Sequence, residues 1–233
     1  MRPMKRPVPS RRNMMLLTAT CLVLGAATLA YGADGTDTGA ARHIKGRTIF
    51  SDEFPRAKLT IRREMRFIGA QRVNIHGNSE AEQYIFVRAD SDNIVRQFYL
   101  VQFEHFLPTN DLSYDYATMR TTQVGNLQFA YDVKTLSDLS SLLREDQGSD
   151  GQAMEHLLEK QRLVLAHKTV MVRMFHLPST DHRTELMIVY GEALPENSTA
   201  PIRHGAVSLD TETPSSAKIF LEHARQGLVV ETQ

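Results

Sequence analysis

The chain contains one cysteine and no tryptophan among its 233 residues. Cys21 lies in an uncharged run, Met14 to Ala30, that reads as a removable export segment. What remains after removal has no disulfide, no thiolate metal site and no cysteine nucleophile. Its fold must rest on an ordinary hydrophobic core, for which about 200 residues suffice. An excess of either charge is also missing, since Lys and Arg number 27 and so do Asp and Glu. Loss of the first segment takes away Arg2, Lys5, Arg6, Arg11 and Arg12 and leaves 22 basic against 27 acidic residues. Nucleic-acid binding draws on a basic surface, so no nucleic-acid partner is expected of a mildly acidic body. Absent too are Gly-x-Gly-x-x-Gly, a phosphate loop, His-Glu-x-x-His and Gly-x-Ser-x-Gly. No cofactor is therefore expected.

No acidic residue precedes Asp34. A basic start, seventeen uncharged residues and the small residues Ala30, Gly32 and Ala33 predict an export signal over residues 1–33. Thr18, Thr20 and Gly25 weaken the run as a membrane span, and a retained segment would be the protein's one membrane contact. Ser10-Arg11-Arg12-Asn13-Met14-Met15-Leu16 resembles a twin-arginine export signal, with its arginine pair just ahead of an apolar run. Either export route predicts a periplasmic or secreted protein. Residues 34–57 begin with Asp34-Gly-Thr-Asp37-Thr-Gly and predict a flexible linker, which leaves residues 58–230 as a single domain.

Within that domain, Val95 to Leu107 is rich in aromatic and β-branched residues and has no Gly or Pro. Its odd positions carry Tyr99, Val101 and Phe103 and its even ones Phe98, Leu100 and Phe106. A strand apolar on both faces is central and covered twice. Its thirteen residues would span roughly 40 Å, so a bend is expected in it. Alternation from Leu59 to Ile75 predicts a half-buried strand pair, or one strand bent at Gly69, whose arginine-rich outer face resists edge pairing. Gln83 to Ala89 forms a hairpin with the central strand across Asp90-Ser-Asp-Asn93. Further strands are expected at Leu127 to Val133, Val170 to Leu177 and Thr184 to Glu192, with a weaker piece near Ala206 to Leu209.

Helices are expected at Leu136 to Leu143, from an Asp150 cap to about Leu163, and at residues 214–226. The last has Pro214 in its first turn, Gly227 as its stop, and a stripe of Ala217, Phe220, Leu221 and Ala224 that should dock it. The order of elements predicts an α+β fold: a curved, mainly antiparallel sheet of about six strands with two or three helices packed on one face.

Three Glu-His doublets, at residues 104–105, 155–156 and 222–223, are not sites by themselves, because neighbouring side chains diverge on strands and helices alike. His156 and Glu159 stand one helical turn apart without a second ligand pair, so no metal site is assigned. Polarity inside apolar rows is more telling. Gln102 and Glu104 interrupt the even face of the central strand, and Arg173 lies between Met171 and Phe175. A buried lone charge is costly, which predicts an ion pair between Glu104 and Arg173. Tyr114 and Tyr116, in the loop after the central strand, are placed to line a mouth at its end. Gln102, Glu104, Arg173, Tyr114 and Tyr116 are thus the candidate ligand-binding residues, and no catalytic residue is assigned.

These features point to an exported, non-catalytic binding protein for a small or lipid-like ligand. One alternative is an envelope interaction module whose apolar surface serves a protein partner or a homodimer. Another is a cofactor-free hydrolase or lyase that uses Glu104 and a histidine as acid and base.

Overall fold

The computed structural model of the protein describes residues 42–195, 207–208 and 214–232. The expected export segment and the head of the expected linker lie outside the described residues. The rest of that linker is not a linker. β1 (Arg42–Lys45) and β2 (Thr48–Ser51) pair within it, and β2 pairs in turn with β3 (Ala57–Ile61). The alternation of Ile49, Leu59 and Ile61 gives these strands one buried face, which the polar head of the segment obscures in the sequence.

The second sheet holds β4 (Arg66–Ile75), β5 (Ser79–Ala89), β6 (Ile94–Phe106), β7 (Arg120–Val124), β8 (Leu127–Ser137), β9 (Val164–Leu165), β10 (Lys168–His176), β11 (Thr184–Ala193) and β12 (Val207–Ser208). Its order is β12-β8-β10-β11-β6-β5-β4, with β7 added to β8 and β9 to β6. All pairs are antiparallel except β6 with β9. The last strand, β13 (Leu228–Thr232), returns to the first sheet beside β3 and completes four strands. Sheets of nine and four strands replace the single sheet of about six, because the sequence shows strands but not which of them share a sheet.

Three helices lie among the described residues: α1 (Leu139–Glu145), α2 (Asp150–Lys160) and α3 (Pro214–Gln226). α2 is capped by Ser149 rather than Asp150: Ser149 is extended, at φ −83° and ψ 164°, and its hydroxyl accepts from the Gln152 amide. Asp150 is the first helical residue, where its charge favours the positive end of the helix.

The large sheet is covered on both faces. On one, Phe86, Tyr99, Val101, Val172, Ile188 and Tyr190 pack against Ile49, Leu59, Leu228 and Val230 of the small sheet and against Ala217, Leu221 and Ala224 of α3. On the other, Ile85, Phe98, Leu100, Met187 and Val189 pack with Leu139 of α1 and with Met154 and Leu158 of α2. The helices therefore do not share one face, as the sequence predicts. Each has a single apolar stripe, and that stripe fits either side of a sheet whose strands are apolar on both.

β6 lies inside the sheet between β5 and β11, and its pairing with β5 shifts register beyond Arg88, where Arg88 faces Gln97 and Ala89 faces Val95. The step leaves Arg96 unopposed, as in a β-bulge. Across from β6, Gly191 faces Phe98, and a Cβ at that glycine would lie 1.9 Å from the ring. The phenylalanine fills the space a side chain would need.

Candidate functional site

On the face of the large sheet that carries α1 and α2, three strands bring polar side chains into adjacent rows. β5, β6 and β11 place Gln83, Gln102 and Met187 in one row and Ala81, Glu104 and Glu185 in the next. All four polar members are buried. A hydrogen-bond chain links three of them: Gln71 Nε2 donates to Gln83 Oε1 at 2.7 Å, Gln83 Nε2 to Gln102 Oε1 at 2.8 Å, and Gln102 Nε2 to Glu104 Oε2 at 2.7 Å. Ser79 Oγ holds the other Glu104 oxygen at 2.5 Å. The start of α2 joins the chain, because Gln83 Nε2 also donates to the Asp150 carbonyl at 3.0 Å. Partners of this kind offset the cost of burying amides and carboxyls.

A loop between β6 and β7 folds back over these carboxyls. Tyr114 and Tyr116 lie between Phe106 of β6 and Phe175 of β10, giving four rings with successive centroid separations of 4.4, 6.2 and 4.5 Å. Their planes incline by 26°, 20° and 22° in turn, so the rings form a stacked row. Arg183 fixes the loop by donating to the Leu107 and Leu112 carbonyls, each at 2.8 Å. The Tyr114 amide donates to the His182 carbonyl at 2.8 Å. Beneath the rings the Tyr116 hydroxyl bonds to Glu185 Oε2. The Tyr114 hydroxyl is buried in the field of Glu104 but makes no hydrogen bond of ordinary geometry.

Electrostatics sets the two acidic sites apart. Burial above all, with Glu104 and Asp150 nearby, pushes the Glu185 carboxyl up to about 8, against the pull of Tyr116 and Arg173. Glu185 is therefore mainly protonated at neutral pH. Burial above all, with the neighbouring Glu104 and Glu185 side chains, also pushes both tyrosine hydroxyls upward, so neither ionises in ordinary buffers. Two strands away the outcome reverses. Burial would raise Asp132, but the hydrogen bonds and charge of Arg173, with Lys134, hold it below the usual carboxylate range. Arg173 Nε and Nη2 grip its two oxygens at 2.9 and 2.5 Å.

The expected ion pair between Glu104 and Arg173 is thus overturned. Arg173 faces Asp132 on β8 and Val189 on β11, and Val189 faces Leu100 on β6, four residues from Glu104. Two strand spacings and four residues put the two charges roughly 15 Å apart at their backbones. All five residues singled out in the sequence nevertheless lie on this face. Gln102, Glu104, Tyr114 and Tyr116 belong to one connected cluster, and Arg173 borders it, with its guanidinium 5.3 Å from the Phe175 ring centre.

Glu185, Gln83, Ser79 and Asp132 were missed. Glu185 has a legible signal, being in phase with Met187 and Val189 on an apolar face. Asp132 has none, because Lys134 follows it on the same face as on an ordinary solvated strand. Among the described residues, no histidine bonds to Glu104, and no group of three or more metal-ligating side chains is arranged to hold an ion.

At the end of the ring row the face opens into a cleft of about 240 Å³. Tyr116 and Phe175 form its aromatic wall, Ala130 and Leu177 add apolar surface, and Thr121 and Gln128 supply polar groups. His176 also borders it, with Nδ1 2.9 Å from the Gln128 carbonyl, so the ring donates there. No family model, no curated protein and no solved structure matches the chain.

Proposed function

We propose that the protein is an exported, non-catalytic binding protein whose small ligand sits in the cleft beside Tyr116 and Phe175. The observation that carries this reading is an aromatic-walled cleft joined, through Tyr116, to a buried carboxyl cluster. Aromatic walls with a few placed polar groups are the usual make-up of small-molecule sites. The volume, about 240 Å³, lies just below the roughly 300 to 1,000 Å³ of sites for drug-sized ligands. It favours a compact, uncharged, partly apolar molecule over the lipid-like ligand that the sequence also allows. The hydrogen-bonded, covered state of Glu104 and Glu185 supports positioning rather than acid and base chemistry, since neither oxygen pair faces an open cleft. Export is part of the proposal and rests on the basic start and the uncharged run.

Native mass spectrometry of protein purified from its own host tests the reading. A small-molecule adduct is expected on the wild type and is lost in Phe175→Ala. Wild-type protein that carries no adduct and gains no thermal stability from a broad panel of small metabolites would sink it. An adduct that persists in Phe175→Ala would place the ligand elsewhere.

A further inference from the structure

We infer that residues 115–119 form a lid over Glu185, closed while that carboxyl holds its proton and lifted when it ionises. The covering loop is held unevenly along its length. Its first half is pinned to the body: the Leu107 amide and the Asn110 side-chain amide donate to the Asn78 carbonyl at 2.9 and 2.8 Å, and Arg183 and the His182 carbonyl hold Leu107, Leu112 and Tyr114. From Asp115 onward the hold is different. The Ala117 amide donates to Asp115 Oδ1 at 3.0 Å and the Met119 amide to the Tyr116 carbonyl at 3.0 Å, so both bonds stay within the segment. Asp115, Ala117 and Thr118 are exposed. Tyr116 ties the segment to the sheet, with its ring against Phe175 and its hydroxyl against Glu185, and Met119 packs on the same apolar cluster.

This latch suits one protonation state. Glu185 stands opposite Glu104 of β6, and the other groups that act on it are Asp150 at the start of α2, Arg173 of β10 and Tyr116 of the lid itself. Among the described residues its side chain makes one hydrogen bond, the one from Tyr116. Glu104 has a donor on each oxygen, Ser79 on one and Gln102 on the other. A buried carboxyl with one donor is stable in its neutral form, whereas a buried carboxylate needs two or three. Arg173 does not supply them, because its Nε and Nη2 are engaged by Asp132. Ionised Glu185 must therefore reach water, and the cover that yields is the one with no strand or helix of its own. Closure has a second cost. The Tyr114 hydroxyl is buried under the same loop without a partner, and water admitted by opening would satisfy it.

The direction follows from the proton count. Burial holds the carboxyl at about 8 in the closed state, and in water it returns to about 4.5. The closed lid binds a proton that the open lid releases, so opening is favoured as pH rises, by up to about tenfold per pH unit between those values. Tyr116 is also a wall of the cleft, so the open state lacks that wall and releases a ligand seated there. This last consequence rests on the proposed function, and the opening itself does not.

The test follows the full chain by carbon-13 methyl-methionine NMR between pH 5 and 9, with Met119→Leu identifying the lid signal. Met154 of α2 and Met174 of β10 are buried on opposite faces of the large sheet and serve as internal controls. The Met119 methyl should move from a packed to a solvent-exposed shift as pH rises, while Met154 and Met174 stay in place. Glu185→Gln, which has the same shape and no ionisation, should keep Met119 packed throughout. The wild-type titration decides even where that variant does not fold: a Met119 signal that does not move, or one that moves only together with Met154 and Met174, would overturn the inference. An equal movement in Glu185→Gln would overturn it as well. The titration needs no ligand, so its outcome is separate from that of the adduct measurement.

Discussion

The two faces of the large sheet are built from the same strands but solve burial differently. The face under the small sheet and α3 is apolar at its centre, and its two central tyrosines satisfy their hydroxyls locally. The Tyr99 hydroxyl donates to the Ala224 carbonyl at 2.7 Å, and the Tyr190 hydroxyl to Glu192 Oε2 at 2.6 Å. The face under α1 and α2 is apolar over only part of its length. Beyond the helices its cover is a loop of tyrosines, and there the carboxyls and amides gather. A sheet or helix covers a face with backbone already paired to itself, whereas a loop brings aromatic rings and hydroxyls that tolerate polar groups beneath them. The contrast explains why buried polar residues, Gln102 and Glu104, interrupt the even positions of β6 while Tyr99, Val101 and Phe103 keep its buried odd positions apolar.

The largest effect expected of a single change falls on the apolar face. Phe86→Ala empties a fully buried site whose ring lies 5.3 Å from that of Phe67, and should cost about 3 to 5 kcal/mol by chemical denaturation. A loss below about 1 kcal/mol would mean that the two sheets do not pack as described.

The loop-covered face should instead respond to pH. Glu185 has its carboxyl raised from 4.5 to about 8 in the folded state. A group raised on folding contributes stability that is fully present below the unfolded value and is lost as pH rises through the folded one. Between about pH 4.5 and 8 the wild type should therefore weaken, by up to about 1.4 kcal/mol per pH unit from this group. Glu185→Gln keeps the shape without the ionisation, so its stability should fall less over that window. Parallel profiles for the two proteins would show that Glu185 does not carry the raised carboxyl.

Much of this architecture was legible in the sequence, and the failures have a common cause. β6 declared itself as a central strand through apolar residues on both faces, and α3 through its first-turn proline, stop and stripe, because those signals are local. Register and sheet membership are not local. The partner of Arg173 is Asp132, 41 residues away, and no spacing in the chain marks the pair. Gln102, Glu104 and the two tyrosines were found because each is out of place in its own segment. β1 and β2 were missed because four-residue strands in a polar stretch give too few periods to read.

A smaller effect is expected at the edge of the cluster. Arg173→Met strands Asp132, whose side chain is only 17% exposed, and should cost about 2 to 3 kcal/mol, somewhat less than for a fully buried pair. Arg173→Met combined with Asp132→Leu should cost less than the two single changes added together. Additive losses in this double-mutant cycle would mean that Lys134, 3.3 Å from Asp132, compensates for the arginine.

The smallest effect separates the rings of the covering loop from its hydroxyls. Tyr116→Phe keeps the ring between Tyr114 and Phe175 and removes only the bond to Glu185. Because Glu185 is mainly protonated at neutral pH, the lost bond is between neutral groups and should cost about 1 kcal/mol there. That bond also pulls the Glu185 carboxyl down against burial, so its removal should move the carboxyl's midpoint to higher pH. Carbon-13 chemical shifts of labelled glutamate report the midpoint directly, with Glu185→Gln identifying the resonance. An upward shift with the aromatic contacts retained would assign to the hydroxyl the tuning of the carboxyl and to the ring the covering of it. A midpoint that stays in place would mean that burial alone sets the Glu185 ionisation, and that the tyrosine is there for its ring.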